Sequence, residues 1–152
     1  MIETPDALRD IEAIEDLKAR YFRFIDTKDW DSFATVLTED VVFDVRGGTA
    51  ATEPGATYSE PPVTGRAETV EFLRTSLTGL VSVHQGYLPE IALTGPDEAT
   101  GTWAMADVLR AGAGAPFRTA RGYGHYHETY RRVDGVWLIA TLRLTRLLVD
   151  IE

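Results

Sequence analysis

The chain has 152 residues, 44% of them hydrophobic, which suits one domain with a substantial core and leaves too little for two. Its 15 basic and 24 acidic residues give a net charge of −9, which repels phosphate backbones and anionic lipid, so neither nucleic acid nor membrane is an expected partner. There is no cysteine, which excludes disulfides, thiolate nucleophiles and thiolate metal sites.

The N-terminal run MIETPDALRDIEAIED is acidic and carries no apolar signal segment. No stretch approaches the ~18 apolar residues of a membrane span, and a cytoplasmic location is expected. Thr4-Pro5-Asp6 reads as a helix start, with a capping hydroxyl, a proline at the first helical position and an acid near the positive helix end. Leu8, Ile11, Ile14, Leu17, Tyr21, Phe24 and Ile25 then recur in steps of three and four, predicting an amphipathic helix that ends near Lys28. A short second helix is predicted from Trp30 to Leu37, with Trp30, Phe33, Val36 and Leu37 inward. Asp29 suits its N-cap and Asp31 its first turn. Thr38-Glu39-Asp40 is read as a turn, and the alternation of Val41, Phe43 and Val45 predicts a strand.

Residues 46 to 64 are rich in Gly, Ala, Thr and Pro and predict a long loop, either a lid or an excursion. Gly65 leads into a third helix, Arg66 to Leu77, with Val70, Leu73 and Leu77 as its stripe. Everything after Leu80 reads as strand: 81 to 93 broken at Gly86 and Pro89, then 99 to 109, 117 to 133, and 136 to 149. Asp134-Gly135 is a two-residue hairpin signal. Helices followed by a run of antiparallel strands define an α+β fold, in which a curved antiparallel sheet is closed by three helices from the N-terminal half. Such a sheet has one concave face, where a small molecule can bind.

Few residues could do chemistry there. His84 shares a strand face with Ser82 and Gly86; it is either a hydrogen-bonded structural histidine or a general base, since imidazole titrates near neutral pH. A histidine base gains from a carboxylate that fixes its tautomer, and Asp26 is a candidate orienter. Asp26 sits where a helix disfavours an acid, beside the apolar stripe; the alternative is a solvated helix end or a cap for the next loop. On the strand 117 to 133, Tyr123, His125, His127 and Thr129 share one face and Gly124, Tyr126, Glu128 and Tyr130 the other. His125 and His127 supply half of a metal site at most, with no third ligand at suitable spacing, so no metal is expected. Asp107 is either a buried acid or a rim residue. Nothing matches a phosphate loop, a nucleophile elbow or a dinucleotide fingerprint, and no cofactor is expected.

The run AIEDLKARYF (residues 13–22), then Asp26, Lys28, Asp29 and Trp30, then Asp40-Val41-Val42-Phe43, resembles the SnoaL-like family of the nuclear-transport-factor-like superfamily. Val83-His84, Trp103 and Asp134-Gly135-Val136-Trp137 fit the same pattern, so the resemblance covers nearly the whole chain as one domain, 1–152. It implies a cone-shaped cystatin-like α+β barrel, and within the group the pattern is nearest to scytalone dehydratase. The resemblance also implies that Asp26 faces the pocket and orients His84, which takes a proton from carbon as a leaving group departs. The two water-positioning tyrosines of scytalone dehydratase fall here at Ile25 and Val45, its second histidine has no clear counterpart in the region of Asp107-Val108-Leu109, and its polar pair falls near Gly124 and Tyr126, so the pocket is lined differently. Tyr21, Trp30, Trp103 and Met105 are candidate walls and Tyr126 a candidate hydrogen-bond donor. The expectation is a cofactor-independent lyase or isomerase for a small apolar cyclic compound, polyketide- or steroid-like, and the alternative a non-catalytic binding module. An epoxide hydrolase would need an Asp-Arg-Asp arrangement. By resemblance the chain is expected to form a homodimer or homotrimer through the outer sheet face, with Leu142, Leu144, Leu147 and Val149 of the last strand as a surface.

Overall fold

Thr4 caps the first helix as its hydroxyl predicts, accepting from the Ala7 N–H at 3.1 Å. The computed structural model describes residues 4–152; residues 1–3, the start of the acidic N-terminal run, lie outside the described residues. Helix α1 spans Pro5–Asp26 and buries Ile14, Leu17, Tyr21 and Ile25, with Lys18 among them. Leu8 is exposed, close in the chain to Asp10, whose carboxylate pins the helix to the sheet by accepting from Arg132 at 2.7 Å and the Trp137 indole at 3.0 Å. Helix α2, Trp30–Ala34, is capped by Asp29, which accepts from the Ser32 N–H. It stops earlier than the pattern suggests because Val36 and Leu37 already pair with the last strand, Val36 accepting from the Ile139 N–H at 2.9 Å.

Strand β1 covers Leu37–Asp44, so Thr38-Glu39-Asp40 is not a turn. Those residues form an irregularity inside the strand, where the register jumps from Leu37 opposite Ile139 to Val42 opposite Thr141. Strand β2, Val63–Thr64, closes the long loop, and helix α3 covers Arg66–Ser76. Strands β3 (Leu80–Gly86), β4 (Glu90–Gly95), β5 (Glu98–Ala111), β6 (Thr119–Val133) and β7 (Val136–Ile151) complete the chain. The β6–β7 hairpin turns at Asp134 and Gly135, both at positive φ (50° and 80°), as a right-twisted two-residue turn requires.

The sheet order is β2-β1-β7-β6-β5-β3, with β4 also on β5. The sheet is mixed rather than antiparallel throughout, because β1 runs parallel to β7. These two strands share no turn, so nothing local in the sequence fixes their relative direction. Register shifts between β6 and β7 at Tyr123/Gly124 and Thr129/Tyr130 bend the long strands. Alternation along β5 and β6 buries Gly101, Trp103, Met105 and Asp107 beside Gly122, Gly124, Tyr126, Glu128 and Tyr130 on the concave face. The helices close over that face, and Ile14, Phe33, Val36, Leu37, Val41 and Ile139 are fully excluded from solvent. On β7, Leu142 and Leu144 point into this core rather than forming an outer surface, and Arg146 follows them inward. Strict period-two alternation from Leu142 places all three on one face. Among the described residues, no helix is long and apolar enough to cross a membrane.

Candidate active site

Strand β3 is the last in the sheet order and pairs only with β5, so alternate N–H groups along its free edge need another partner. Asp26, at the C-terminus of α1, supplies one. Its Oδ2 accepts from the His84 backbone N–H at 2.7 Å, while Oδ1 accepts from the Ser82 hydroxyl at 2.9 Å and meets His84 Nδ1 at 2.6 Å. These three donors offset the unfavourable position of an acid at a helix end; hydrogen bonds to a charged group are each worth about 1.5–3 kcal/mol. Lys28 Nζ, just past the helix, donates to the Leu80 carbonyl at 2.6 Å and ties the helix end to the start of β3. A carboxylate only accepts, so Nδ1 carries a proton, and in the neutral ring the lone pair is on Nε2. Nε2 lies 3.9 Å from Asp107 Oδ2, beyond hydrogen-bond reach.

Asp107 stands opposite His84 in the β3–β5 register, and its own other neighbour, on β6, is Gly122. The absence of a side chain at Gly122 is what lets Arg146 reach across β6. A Cβ there would come within 2.6 Å of both the guanidinium carbon and Asp107 Oδ1. Arg146 grips Asp107 with two parallel bonds of 2.9 and 2.8 Å, touches the Met105 sulfur at 3.4 Å, and donates through Nε to the Gly48 carbonyl at 3.0 Å. Its backbone is clipped to the 46–64 loop as well: Arg146 N–H donates to Thr52 Oγ1 at 2.8 Å and the Thr52 N–H to the Arg146 carbonyl at 2.9 Å. Thus one polar row crosses the concave face, Asp26–His84–Asp107–Arg146, with both ends fixed by backbone. Losing one partner of the buried Asp107–Arg146 pair would cost about 3–5 kcal/mol, because the other charge stays behind in a dry site.

Around this row, Tyr126 and Tyr21 are buried with their ring centroids 6.1 Å apart. Burial first, and then the charge of Asp107, holds the Tyr126 phenol well above its ordinary pKa; for Tyr21 burial again dominates. Both are therefore neutral donors at physiological pH. Met105 lines the row through its contact with Arg146. Trp103 is buried further along β5 and donates its indole N–H to the Tyr130 hydroxyl at 2.8 Å. Trp30 is half-buried on α2 and packs edge-on against Phe33, 6.0 Å between centroids. His125 and His127 face the other side of the sheet, where His127 Nε2 meets the Thr145 hydroxyl at 2.9 Å.

Arg146 is the residue that reading the sequence missed, and Asp107 was left open between core and rim. The available signal was the pairing of inward parity on β7 with two glycines, Gly122 and Gly124, at inward positions of the neighbouring strand. Lys18 was missed too, although it falls four residues after Ile14 and three before Tyr21 on the buried stripe of α1.

A curved sheet closed by three helices from the N-terminal half, with an acid–imidazole contact inside, makes a cone-shaped α+β protein of the SnoaL-like type. The model of the SnoaL-like domain matches residues 6–143, and the chain belongs to that family. Probable cyclase FGR4 of Gibberella zeae is 29% identical over 140 residues, covering 88% of this chain and 89% of that protein. The solved structure of a scytalone dehydratase candidate from Novosphingobium aromaticivorans superposes with a TM-score of 0.76 at 21% identity, over 95% of this chain and 89% of that one. The hexachlorocyclohexane dehydrochlorinase LinA-type3 from Novosphingobium barchaimii does so with a TM-score of 0.77 at 15% identity, over 97% and 92%. At those identities the two structures share the fold with this chain. The family is one of small-molecule-converting enzymes.

Proposed function

We propose that the protein is a cofactor-independent lyase of the dehydratase type, or an isomerase, that acts on a small, mostly apolar cyclic compound of polyketide- or steroid-like character. One observation carries the reading. His84 has its Nδ1 engaged by Asp26 at 2.6 Å, while Nε2 stands 3.9 Å from Asp107 Oδ2, outside hydrogen-bond reach. That is the arrangement of a general base whose orienting carboxylate stabilises the imidazolium as it forms. Nε2 takes a proton from a carbon next to a carbonyl. The electron pair left behind either expels a leaving group from the next carbon, which makes the reaction a lyase, or collects the proton at another carbon, which makes it an isomerase.

An apolar substrate suits the surroundings. An open surface groove of about 760 Å³ lies between α1 and the β3–β4 turn, bounded by Phe22, Gly86, Leu88 and Trp103; Gly86 shares the strand face of His84, but Asp26, His84 and Asp107 do not line the groove. The Asp107–Arg146 pair distinguishes this site from an Asp-Arg-Asp epoxide hydrolase arrangement, because an imidazole stands between the two carboxylates. The experiment is exchange of the α-protons of 2-tetralone in D₂O, monitored by proton NMR, with wild type, Asp26→Asn and His84→Ala. Catalysed exchange that vanishes in His84→Ala supports the reading; equal exchange in all three proteins refutes it.

A further inference from the structure

Helix α1 and strand β3 meet along a seam in which the helix numbers rise as the strand numbers fall. At one end Lys28 reaches the Leu80 carbonyl, in the middle Asp26 takes Ser82 and His84, and one helical turn earlier Phe22 lies against Gly86. Past Phe22 the seam opens into the groove of about 760 Å³, where Ala19 and Glu15 continue the wall of α1. Residues 15, 19, 22 and 26 recur in steps of four, three and four, so one ridge of the helix leads from the groove to Asp26. On the strand, Gly86 and His84 share a face and stand about 7 Å apart, the rise of two strand residues.

Phe22 is the side chain that separates groove from imidazole along this seam. Its ring edge fills the notch left by Gly86: a Cβ there would fall 2.7 and 2.8 Å from Cε2 and Cζ, and 3.2 Å from the Trp103 indole. A glycine inside a strand marks such a close approach. Behind the ring, 6.1 Å away between centroids, is Tyr126, which is buried. Phe22 itself is only half-buried. A phenyl ring has no polar group to tie it down, so packing alone keeps it in the notch.

The groove beyond is fitted for a ring. Trp103 turns its indole N–H to the Tyr130 hydroxyl, which leaves its six-membered ring bordering Gly86. Leu88, 94% exposed, and Tyr87, 53% exposed, stand on the β3–β4 turn with most of their apolar surface in water. Among the residues lining the groove Glu15 alone is charged, and it is an acid, so an anion is disfavoured and an uncharged ligand suits the site. The volume falls within the ~300–1,000 Å³ of sites for drug-sized molecules.

We propose that the groove is the entry and ring-binding site for an uncharged, flat, fused-ring ketone, and that Phe22 is its gate. When the phenyl ring leaves the Gly86 notch, the ketone slides along the α1–β3 seam to His84. This rests on the proton-abstraction reading above for what happens at the end of the path, and adds to it the substrate class and the residue that selects by size. A ring stacked on Trp103 covers Leu88 and Tyr87, and the apolar surface it removes from water supplies the attraction.

Binding is read with prodan, an uncharged naphthyl ketone whose emission shifts to the blue in apolar surroundings. Leu88→Ser and Ala19→Arg alter exposed positions away from Asp26 and His84, and each is expected to weaken prodan binding about 5-fold or more. The gate is read from the ratio of kcat/KM for proton exchange of 2-tetralone to that of cyclohexanone. Phe22→Ala is expected to raise this ratio about 5-fold or more and Phe22→Trp to lower it by as much, whereas a loss of stability would move both ketones together. Should Phe22→Ala fail to fold by circular dichroism, Phe22→Leu is measured instead, with the same direction expected. Prodan affinity that is equal in wild type, Leu88→Ser and Ala19→Arg, or absent in wild type, overturns the proposal, and so does a ratio that no Phe22 variant changes. A Leu88→Ser variant that turns a dimer into a monomer in size-exclusion chromatography, with prodan affinity unchanged, also overturns it, since the groove is then a contact between copies. Exchange lost only in His84→Ala would in each of these cases leave the base reading intact. Conversely, prodan bound in the groove of a protein that exchanges no ketone proton overturns the base and the path to it, and upholds the ring site.

Discussion

Replacing Asp26 by Asn changes one oxygen to an NH₂ group, and the hydrogen bonds of the carboxylate decide how the site responds. Oδ1 serves both Ser82 and His84 Nδ1, and Oδ2 serves the His84 backbone N–H. In one orientation the amide NH₂ meets the backbone N–H, donor against donor, and breaks the link at 2.7 Å. In the other the amide oxygen keeps that link, and the NH₂ turns to Ser82, which can accept, and to Nδ1. Nδ1 then accepts as well, so the ring proton moves to Nε2 and the lone pair on that nitrogen is gone. The second orientation satisfies every group and should prevail. Loss of the base tautomer is expected to lower the exchange rate by about 10²- to 10⁴-fold. Loss of charge on three hydrogen bonds should lower stability by about 1–3 kcal/mol in a site that is only partly buried. Nitrogen-15 NMR of the imidazole reads the tautomer directly, and urea unfolding reads the stability. An Asn variant that keeps the proton on Nδ1 and exchanges at the wild-type rate would refute the reasoning.

Other consequences of the geometry are open to the same methods. Gly122→Ala should separate Arg146 from Asp107 and destabilise the fold by about 1–3 kcal/mol of overpacking, measured by urea titration; a neutral result would mean that the guanidinium has room to shift. Arg146→Met should cost about 3–5 kcal/mol by stranding the Asp107 charge, and Arg146→Met/Asp107→Leu should recover most of it. Alkaline pH acts on the buried phenols. Burial raises the pKa of Tyr21, Tyr126 and Tyr130, so the unfolded chain releases three protons that the folded one retains. Their contribution is complete below the unfolded value of about 10 and is lost as pH rises past it, at about 1.4 kcal/mol per phenol per unit. Spectrophotometric titration should show these phenolates appearing only as the fold is lost; their appearance in folded protein would refute the burial argument.

The elements legible in the sequence were those with a local cause. Thr4, Asp29 and Asp134-Gly135 act on residues within a few positions, and their caps and turn are where their chemistry predicts. The alternation that put His84 with Ser82 and Gly86 is also local, and so is the anomaly at Asp26. What could not be read were contacts between strands far apart in the chain. The parallel union of β1 with β7 has no turn to announce it, and Thr38-Glu39-Asp40 looked like a turn because a polar triplet inside an irregular strand has the same composition. Arg146 is the instructive case: among leucines on a final strand it resembles a solvated surface charge, and only the empty positions of Gly122 and Gly124 across the next strand convert it into an interior one. Lys18 shows the same limit, since the partner that makes it tolerable, Glu128, lies 110 residues away.

The carboxylate at position 26 also has a consequence for how the molecule keeps to itself. β3 is the outer margin of the sheet, and an exposed margin with free amides invites a stranger's strand to add on. By occupying the His84 amide, the side chain that sets the imidazole also blocks that margin at its midpoint. A substitution of this one acid is therefore expected to free that amide for pairing with a foreign strand.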